Sequence, residues 1–126
     1  MIVLDTSALL YWTLDPAQLS PDARHAIDRA NRILVSSISI WEIALKVKRG
    51  KLEIPVSIKD YAERLQRLDG LEILPLDVQT WLENLELPWE HRDPADRIIV
   101  ALAQRFACPL ATSDRVIADY YPQAIW

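Results

Sequence analysis

Met1-Ile2-Val3-Leu4-Asp5-Thr6-Ser7-Ala8-Leu9 is the stretch on which the reading of the whole chain turns. Ile2-Val3-Leu4 is a continuous apolar run without the alternation of a half-exposed strand, and such a run fits a strand buried on both faces of a parallel sheet. A charge interrupts it at Asp5. Thr6 to Leu14 then reads as a helix with Leu9, Leu10 and Trp12 available for packing, broken at Asp15-Pro16. The unit is a buried strand passing through an acid into a helix.

Related units follow. Ser20-Pro21-Asp22 is a helix start, with serine as cap and proline at the first position. That helix is expected to run to about Arg32 and to bury Ala23, Ala26, Ile27 and Ala30. Ile33-Leu34-Val35 is a second buried strand. Ser36, Ser37 or Ser39 then caps a helix carrying Trp41, Ala44, Leu45 and Val47, which stops at Gly50. Pro55 interrupts the next stretch, and Ser57 opens a helix through Tyr61, Leu65 and Leu68 that ends at Asp69-Gly70. Leu71 to Leu76 is a third strand, Val78 to Leu85 a helix, and Pro88 to Arg92 a loop. A strong helix from Pro94 to Phe106 leads to a strand at Pro109 to Thr112, a short helix near Val116 to Tyr120 and a last strand at Ala124-Ile125. The alternation specifies an α/β fold: a single domain over residues 1–126, with a parallel β-sheet of four to five strands flanked by helices on both faces.

Composition excludes several functions. With 51% hydrophobic and 25% charged residues the chain has a globular balance, and its 126 residues suffice for a core. Two glycines cannot build a glycine-rich phosphate cradle, and no nucleotide-loop motif occurs. Cys108 is the only cysteine, so neither a disulfide framework nor a cysteine-based zinc site is possible; its apolar neighbours point to a buried thiol. Met1-Ile2-Val3-Leu4 is too short for a signal peptide and no apolar run approaches a membrane span, so the expected setting is the reducing cytoplasm. His25 and His91 are too separated to suggest zinc, and no serine sits in a nucleophile elbow.

The position of four acids carries more information than their number. Ligands of open parallel sheets bind outside the carboxyl ends of the strands. Asp5 follows the first strand directly, and Asp114 follows the fourth in Ala111-Thr112-Ser113-Asp114, so both project from one edge. Each has a second reading, as the cap of the helix it precedes. Glu42, beside Trp41 and three residues before Leu45, falls within or at the edge of an apolar stripe, where a carboxylate is costly without a cation or basic partner. In His91-Arg92-Asp93-Pro94-Ala95-Asp96-Arg97, Asp93 is the N-cap and Pro94 the first helical residue. Asp96 is either the acid of a capping box or a ligand pointing into the crevice. Carboxylates clustered in this way suit magnesium or manganese, which prefer hard oxygens and retain several waters. Two such ions roughly 4 Å apart activate water and stabilise the leaving oxygen in phosphodiester hydrolysis.

The net charge of −4 argues against a nucleic-acid partner unless cations offset the acids. Lys46-Val47-Lys48-Arg49-Gly50-Lys51 is the densest basic patch; it reads as an RNA track through Lys46, Lys48, Arg49 and Lys51, or as a helix end complementing its dipole. Trp12, Trp89 and Trp126 are candidates for a protein interface, or ordinary core.

Four fragments together resemble the PIN-domain nucleases, especially toxins of the VapBC type. They are Leu4-Asp5-Thr6-Ser7-Ala8-Leu9, Ser37-Ile38-Ser39-Ile40-Trp41-Glu42-Ile43-Ala44, His91 to Arg97, and Ala111-Thr112-Ser113-Asp114. By that resemblance the acidic site falls on Asp5, Glu42, Asp96 and Asp114. Thr112 and Ser7 are implied as hydroxyl partners, with Asp93 as a secondary acid. The resemblance further implies Mg2+ or Mn2+ as cofactor, RNA as substrate, a cognate antitoxin protein as partner, and a homodimer. Other readings are a PIN domain kept as a non-catalytic scaffold, a metal-dependent binding module, and a phosphoryl-transfer enzyme. The phosphatase version of the last lacks the second aspartate, because Ser7 stands where it would be.

Overall fold

The computed structural model describes all 126 residues, Met1–Trp126. Strand β1 (Ile2–Leu4) leads through α1 (Thr6–Leu14), a 3₁₀ turn at Pro16–Gln18 and α2 (Pro21–Arg29) to β2 (Ile33–Ser36). Then come α3 (Ser37–Lys48), α4 (Ile58–Gln66), β3 (Leu71–Leu74), α5 (Val78–Glu86), α6 (Pro94–Phe106), β4 (Leu110–Ala111), α7 (Arg115–Tyr120) and β5 (Ala124–Ile125). All neighbouring strands are parallel, in the order β3-β2-β1-β4-β5.

That order reverses direction at β1. The chain steps outward through β2 and β3, then returns to pair β4 against the other side of β1, with Val3 opposite Leu110 and Leu4 opposite Ala111. Because parallel crossovers are right-handed, reversing the direction moves the connecting helices to the opposite face. The two cores show it. Ile2, Leu4, Ile33, Val35 and Ala111 pack with side chains of α1 to α4, such as Leu9, Ile27, Ile43 and Leu65. Val3, Leu34 and Leu110 pack on the other face with Ile98, Ile99 and Leu102 of α6 and Ile117 of α7. Alternate residues of each strand thus feed opposite layers, which is why β1 reads as an unbroken apolar run.

The helix ends follow from local chemistry. Ser20, Ser57 and Asp77 each accept the backbone N–H three residues on, capping α2, α4 and α5. Helix α6 is buried almost all round from Ile98 to Ala103, and each large apolar side chain it removes from water is worth about 1.5–3 kcal/mol.

Several boundaries are shorter than the sequence suggests. Helix α2 stops at Arg29 rather than Arg32, since Ala30 turns extended and the Arg32 carbonyl is needed to accept the Ile2 N–H at 2.9 Å. Helix α4 stops at Gln66; Arg67 and Leu68 form tighter turns, and Leu68 is left exposed. Strand β3 ends at Leu74 because Pro75 has no N–H for the ladder. Trp41, expected in the packed stripe of α3, is 58% exposed. Trp12, Trp89 and Trp126 are each half-buried, Trp126 against Tyr11 and Trp89 against Tyr120. No helix is long and apolar enough to cross a membrane.

Candidate active site

The reversal at β1 opens a crevice between the carboxyl ends of β1 and β4, the kind of place where open α/β sheets bind ligands. Asp5 and Thr112 are the first residues beyond those strands. Asp5 N–H donates to the Ala111 carbonyl at 3.1 Å, and Thr112 N–H continues outward to Ile125. Asp5 is 6% exposed, and its Oδ1 accepts the Ala8 N–H at 2.8 Å as the cap of α1. Asp114 caps α7 in the same manner, accepting the Val116 N–H at 2.9 Å. Capping and facing the crevice are therefore compatible, because a cap uses only some of a carboxylate's lone pairs. Thr112 Oγ1 accepts the Asp114 N–H at 3.1 Å, and the Thr112 side chain also hydrogen-bonds to Asp5.

Glu42 enters from α3, half-buried and one turn before Lys46. Thr6 Oγ1 stands 2.5 Å from Glu42 Oε1 and 2.9 Å from Ser39 Oγ, so its single proton is directed to the carboxylate. Helix α3 is fixed relative to β1 through this contact between its second turn and the first residue of α1.

Asp96 enters from the first turn of α6. Its backbone N–H donates to Asp93 Oδ1 at 3.0 Å, so Asp93 is the N-cap. Its side chain does not close a capping box; Asp96 Oδ2 lies 2.8 Å from Nε2 of His91. The loop bearing His91 is held by Arg97. That guanidinium donates to the carbonyls of Asn84, Leu87, Trp89 and His91 and to Asn84 Oδ1.

These acids share one electrostatic environment. Burial first, then the Asp96 and Asp114 charges, lift Asp5 to about 6 against the opposing hydrogen bonds of Thr112 and Ala8. Glu42 is raised by burial and by Asp93 and Asp96, opposed by Thr6 and Lys46. Asp96 is raised by burial and by Asp93 and Asp114, opposed by His91. Asp5, Glu42, Asp93, Asp96 and Asp114 thus form one linked set drawn from four separate segments of the chain.

The sequence profile of the PIN domain family matches residues 2–121. The chain belongs to the PIN domain family. Over 130 residues it is 27% identical to Ribonuclease VapC22 of Mycobacterium tuberculosis, covering 99% of this chain and 98% of that protein. Among solved structures, a toxin–antitoxin complex from Klebsiella pneumoniae superposes with a TM-score of 0.68 at 17% identity, covering 100% of this chain and 97% of that one. VapC20 of Mycobacterium tuberculosis, described as a sarcin–ricin loop cleaving toxin, gives 0.63 at 13% identity, covering 96% of both.

Within this PIN domain no three histidine, cysteine or acidic side chains gather tightly enough to form a ready-made metal cage. The donor set nevertheless fits a hard divalent cation. It is all carboxylate oxygen, it is partly desolvated, and its members raise one another's proton affinity, which a cation would reverse. Magnesium in particular needs only one or two protein carboxylates and keeps its own waters.

Around these acids, the hydroxyl that meets Glu42 belongs to Thr6, while Ser7 is half-buried and forms no side-chain hydrogen bond to them. Lys46 is close enough to lower the proton affinity of Glu42. Lys48, Arg49 and Lys51 are exposed at the far end of α3 and beyond it. Sequence reasoning did not single out Thr6, Arg97 or the pairing of His91 with Asp96. Thr6 was legible as the hydroxyl next to Asp5, and His91 as a histidine five residues before an acid at a helix start. The carbonyl targets of Arg97 leave no trace in composition or periodicity.

Proposed function

We propose that this PIN domain is a metal-dependent endoribonuclease that hydrolyses RNA phosphodiester bonds and acts in the cytoplasm as the toxin of a toxin–antitoxin pair. The observation that carries the reading is the linked set of acids at the switch point between β1 and β4. Similarity to a protein named as a ribonuclease, and to a fold found in toxin–antitoxin complexes, supports it.

Asp5, Asp96, Asp114 and Glu42 would hold Mg2+ or Mn2+. When bound, the cation neutralises the acids, polarises the phosphodiester and makes an attacking water easier to ionise. The chain's own contribution is placement. Thr112 orients Asp5 and the start of the Asp114 turn, Thr6 fixes Glu42, and Asp93 anchors the helix turn that presents Asp96. Lys46, followed by Lys48, Arg49 and Lys51, offers the RNA backbone a cationic path leading to the site.

Two apolar surfaces support the protein partners. A groove of about 410 Å³ between α1 and α4, lined by Trp12, Val56, Tyr61, Leu65 and Leu68, suits an apolar segment of an antitoxin. Val78, Trp81, Leu82 and Leu85 form an outward stripe on α5, at the i, i+3, i+4, i+7 spacing of a helix-packing face. We assign that stripe to a second copy of the chain.

The deciding experiment compares wild type with Asp96→Asn on a panel of structured RNAs, with Mg2+ or Mn2+ and with chelator. Metal-dependent cleavage lost in the variant supports the nuclease. Metal-independent cleavage, or equal cleavage by the variant, overturns it.

A further inference from the structure

His91 sits in a loop, yet its ring has little freedom. On one side it lies against Trp89, with ring centroids 4.7 Å apart. Trp89 in turn stacks on Tyr120 of α7 at 4.7 Å and 13°. The backbone beneath is clamped, because Arg97 donates to the carbonyls of both Trp89 and His91. Arg97 is itself the residue after Asp96 on the first turn of α6. The same helix turn therefore presents the acid and anchors the loop that meets it. The product is one side-chain contact, His91 Nε2 to Asp96 Oδ2 at 2.8 Å, between two partners that are each about three-quarters buried.

We infer that His91 is a positioning residue for cation binding. Its Nε2–H holds Oδ2 of Asp96 and so turns Oδ1 toward the crevice as the oxygen offered to a divalent ion. The inference rests on the acids being a metal site. A single oxygen contact is what a cation that keeps most of its waters requires. An Asp96 free to rotate would present either oxygen and would pay the ordering cost at each binding event. A hydrogen-bonded partner outside the ligand set commonly controls affinity through this kind of pre-orientation. The aromatic stack and the Arg97 clamp make sense on this account: a loop needs such bracing when the position of one ring nitrogen matters.

The test is Mn2+ binding to the antitoxin-free chain, followed by electron paramagnetic resonance of the free ion, together with RNA cleavage across a range of metal concentrations. His91→Phe keeps the ring and its stack but removes the donor. It is expected to weaken Mn2+ binding by about 10–100-fold, with cleavage recovering as Mn2+ is raised. His91→Gln places an amide N–H near the original Nε2 and is expected to restore affinity to within a few-fold of wild type. Trp89→Leu, which keeps the imidazole but loosens it, falls between them. Imidazole 15N shifts of the metal-free wild type should show Nε2 protonated, and this readout stands even if His91→Phe fails to fold. Unprotonated Nε2, unchanged affinity in His91→Phe, or a His91→Gln as weak as His91→Phe overturns the inference while leaving the metal site intact. A wild-type chain that binds no Mn2+ overturns the metal reading and this inference with it.

Discussion

Thr6, the first residue of α1, hydrogen-bonds Glu42 Oε1 of α3 at 2.5 Å, joining two segments 36 residues apart beside the central strand. Hydrogen bonds to charged groups are worth about 1.5–3 kcal/mol, or roughly ten- to a hundredfold in an equilibrium or rate. Thr6→Val preserves shape and removes the donor. RNA cleavage is expected to fall by up to that factor and the melting temperature by several degrees, and Thr6→Ser should restore most of both. Steady-state kinetics of the three proteins check this; equal rates would separate Thr6 from the site.

Asp5 gives a prediction in pH. Its carboxyl titrates at about 6 in the folded chain against 3.8 for the ordinary group. The native state therefore holds the proton more tightly than the unfolded one. The stability this provides is complete below about pH 4 and is lost as pH rises through 6, a change of roughly 3 kcal/mol. Asp5→Asn keeps a good capping residue and removes the titration. In chelator, the variant's stability relative to wild type should be greater at pH 7.5 than at pH 4. Urea denaturation at both pH values reads the difference; a parallel offset would contradict the buried-carboxylate account.

Asp96→Asn should abolish cleavage and keep the fold, because the asparagine oxygen still accepts from His91 while one member of a mutually repelling set loses its charge. Thermal unfolding in chelator is expected to show a melting temperature equal to or above that of wild type. A collapse of stability would make Asp96 structural.

Arg97 supports the loop rather than the acids. Arg97→Ala strands the carbonyls of Trp89 and His91, takes a second donor from those of Asn84 and Leu87, and is expected to cost about 3 kcal/mol. Arg97→Lys should rescue little, since a single ammonium cannot reproduce the fork. Denaturant unfolding measures the loss, and faster amide exchange across residues 87–92 would locate it.

The α5 stripe yields a prediction about assembly. Leu85, 77% exposed, and Leu82 cover no part of their own core. Substituting both by glutamate should convert a dimer into a monomer in light scattering, with the far-ultraviolet circular dichroism unchanged. A wild type that is monomeric at every accessible concentration would remove the second copy from the proposal.

How much of this was written in the sequence depends on the range of the interaction. Ile2-Val3-Leu4 and Ile33-Leu34-Val35 declare double-sided burial by composition alone, and the parallel sheet follows from them. Asp5 and Asp114 were legible as acids at strand ends because that position is a matter of order along the chain. Their reading as caps and their reading as crevice acids looked like rivals, since sequence does not show that a carboxylate serves a backbone N–H with one lone pair and faces a crevice with the rest. Trp41 misled because it lies next to the stripe of α3 by spacing, whereas the structure turns it outward. The Thr6–Glu42 and His91–Asp96 contacts depend on how α1 meets α3 and how a loop is strapped to α6. Those are tertiary facts without a local signature.

The insertion of β4 beside β1 has a consequence for biosynthesis. A nascent chain that has emerged only as far as α6 carries Asp5, Glu42 and Asp96, but the edge of β1 on which Leu110 and Ala111 must pair is still bare. Thr112, which bonds Asp5, and Asp114 arrive only with that pairing. The assembled acid set is thus a product of folding across the central strand, absent until β1 has acquired both of its neighbours.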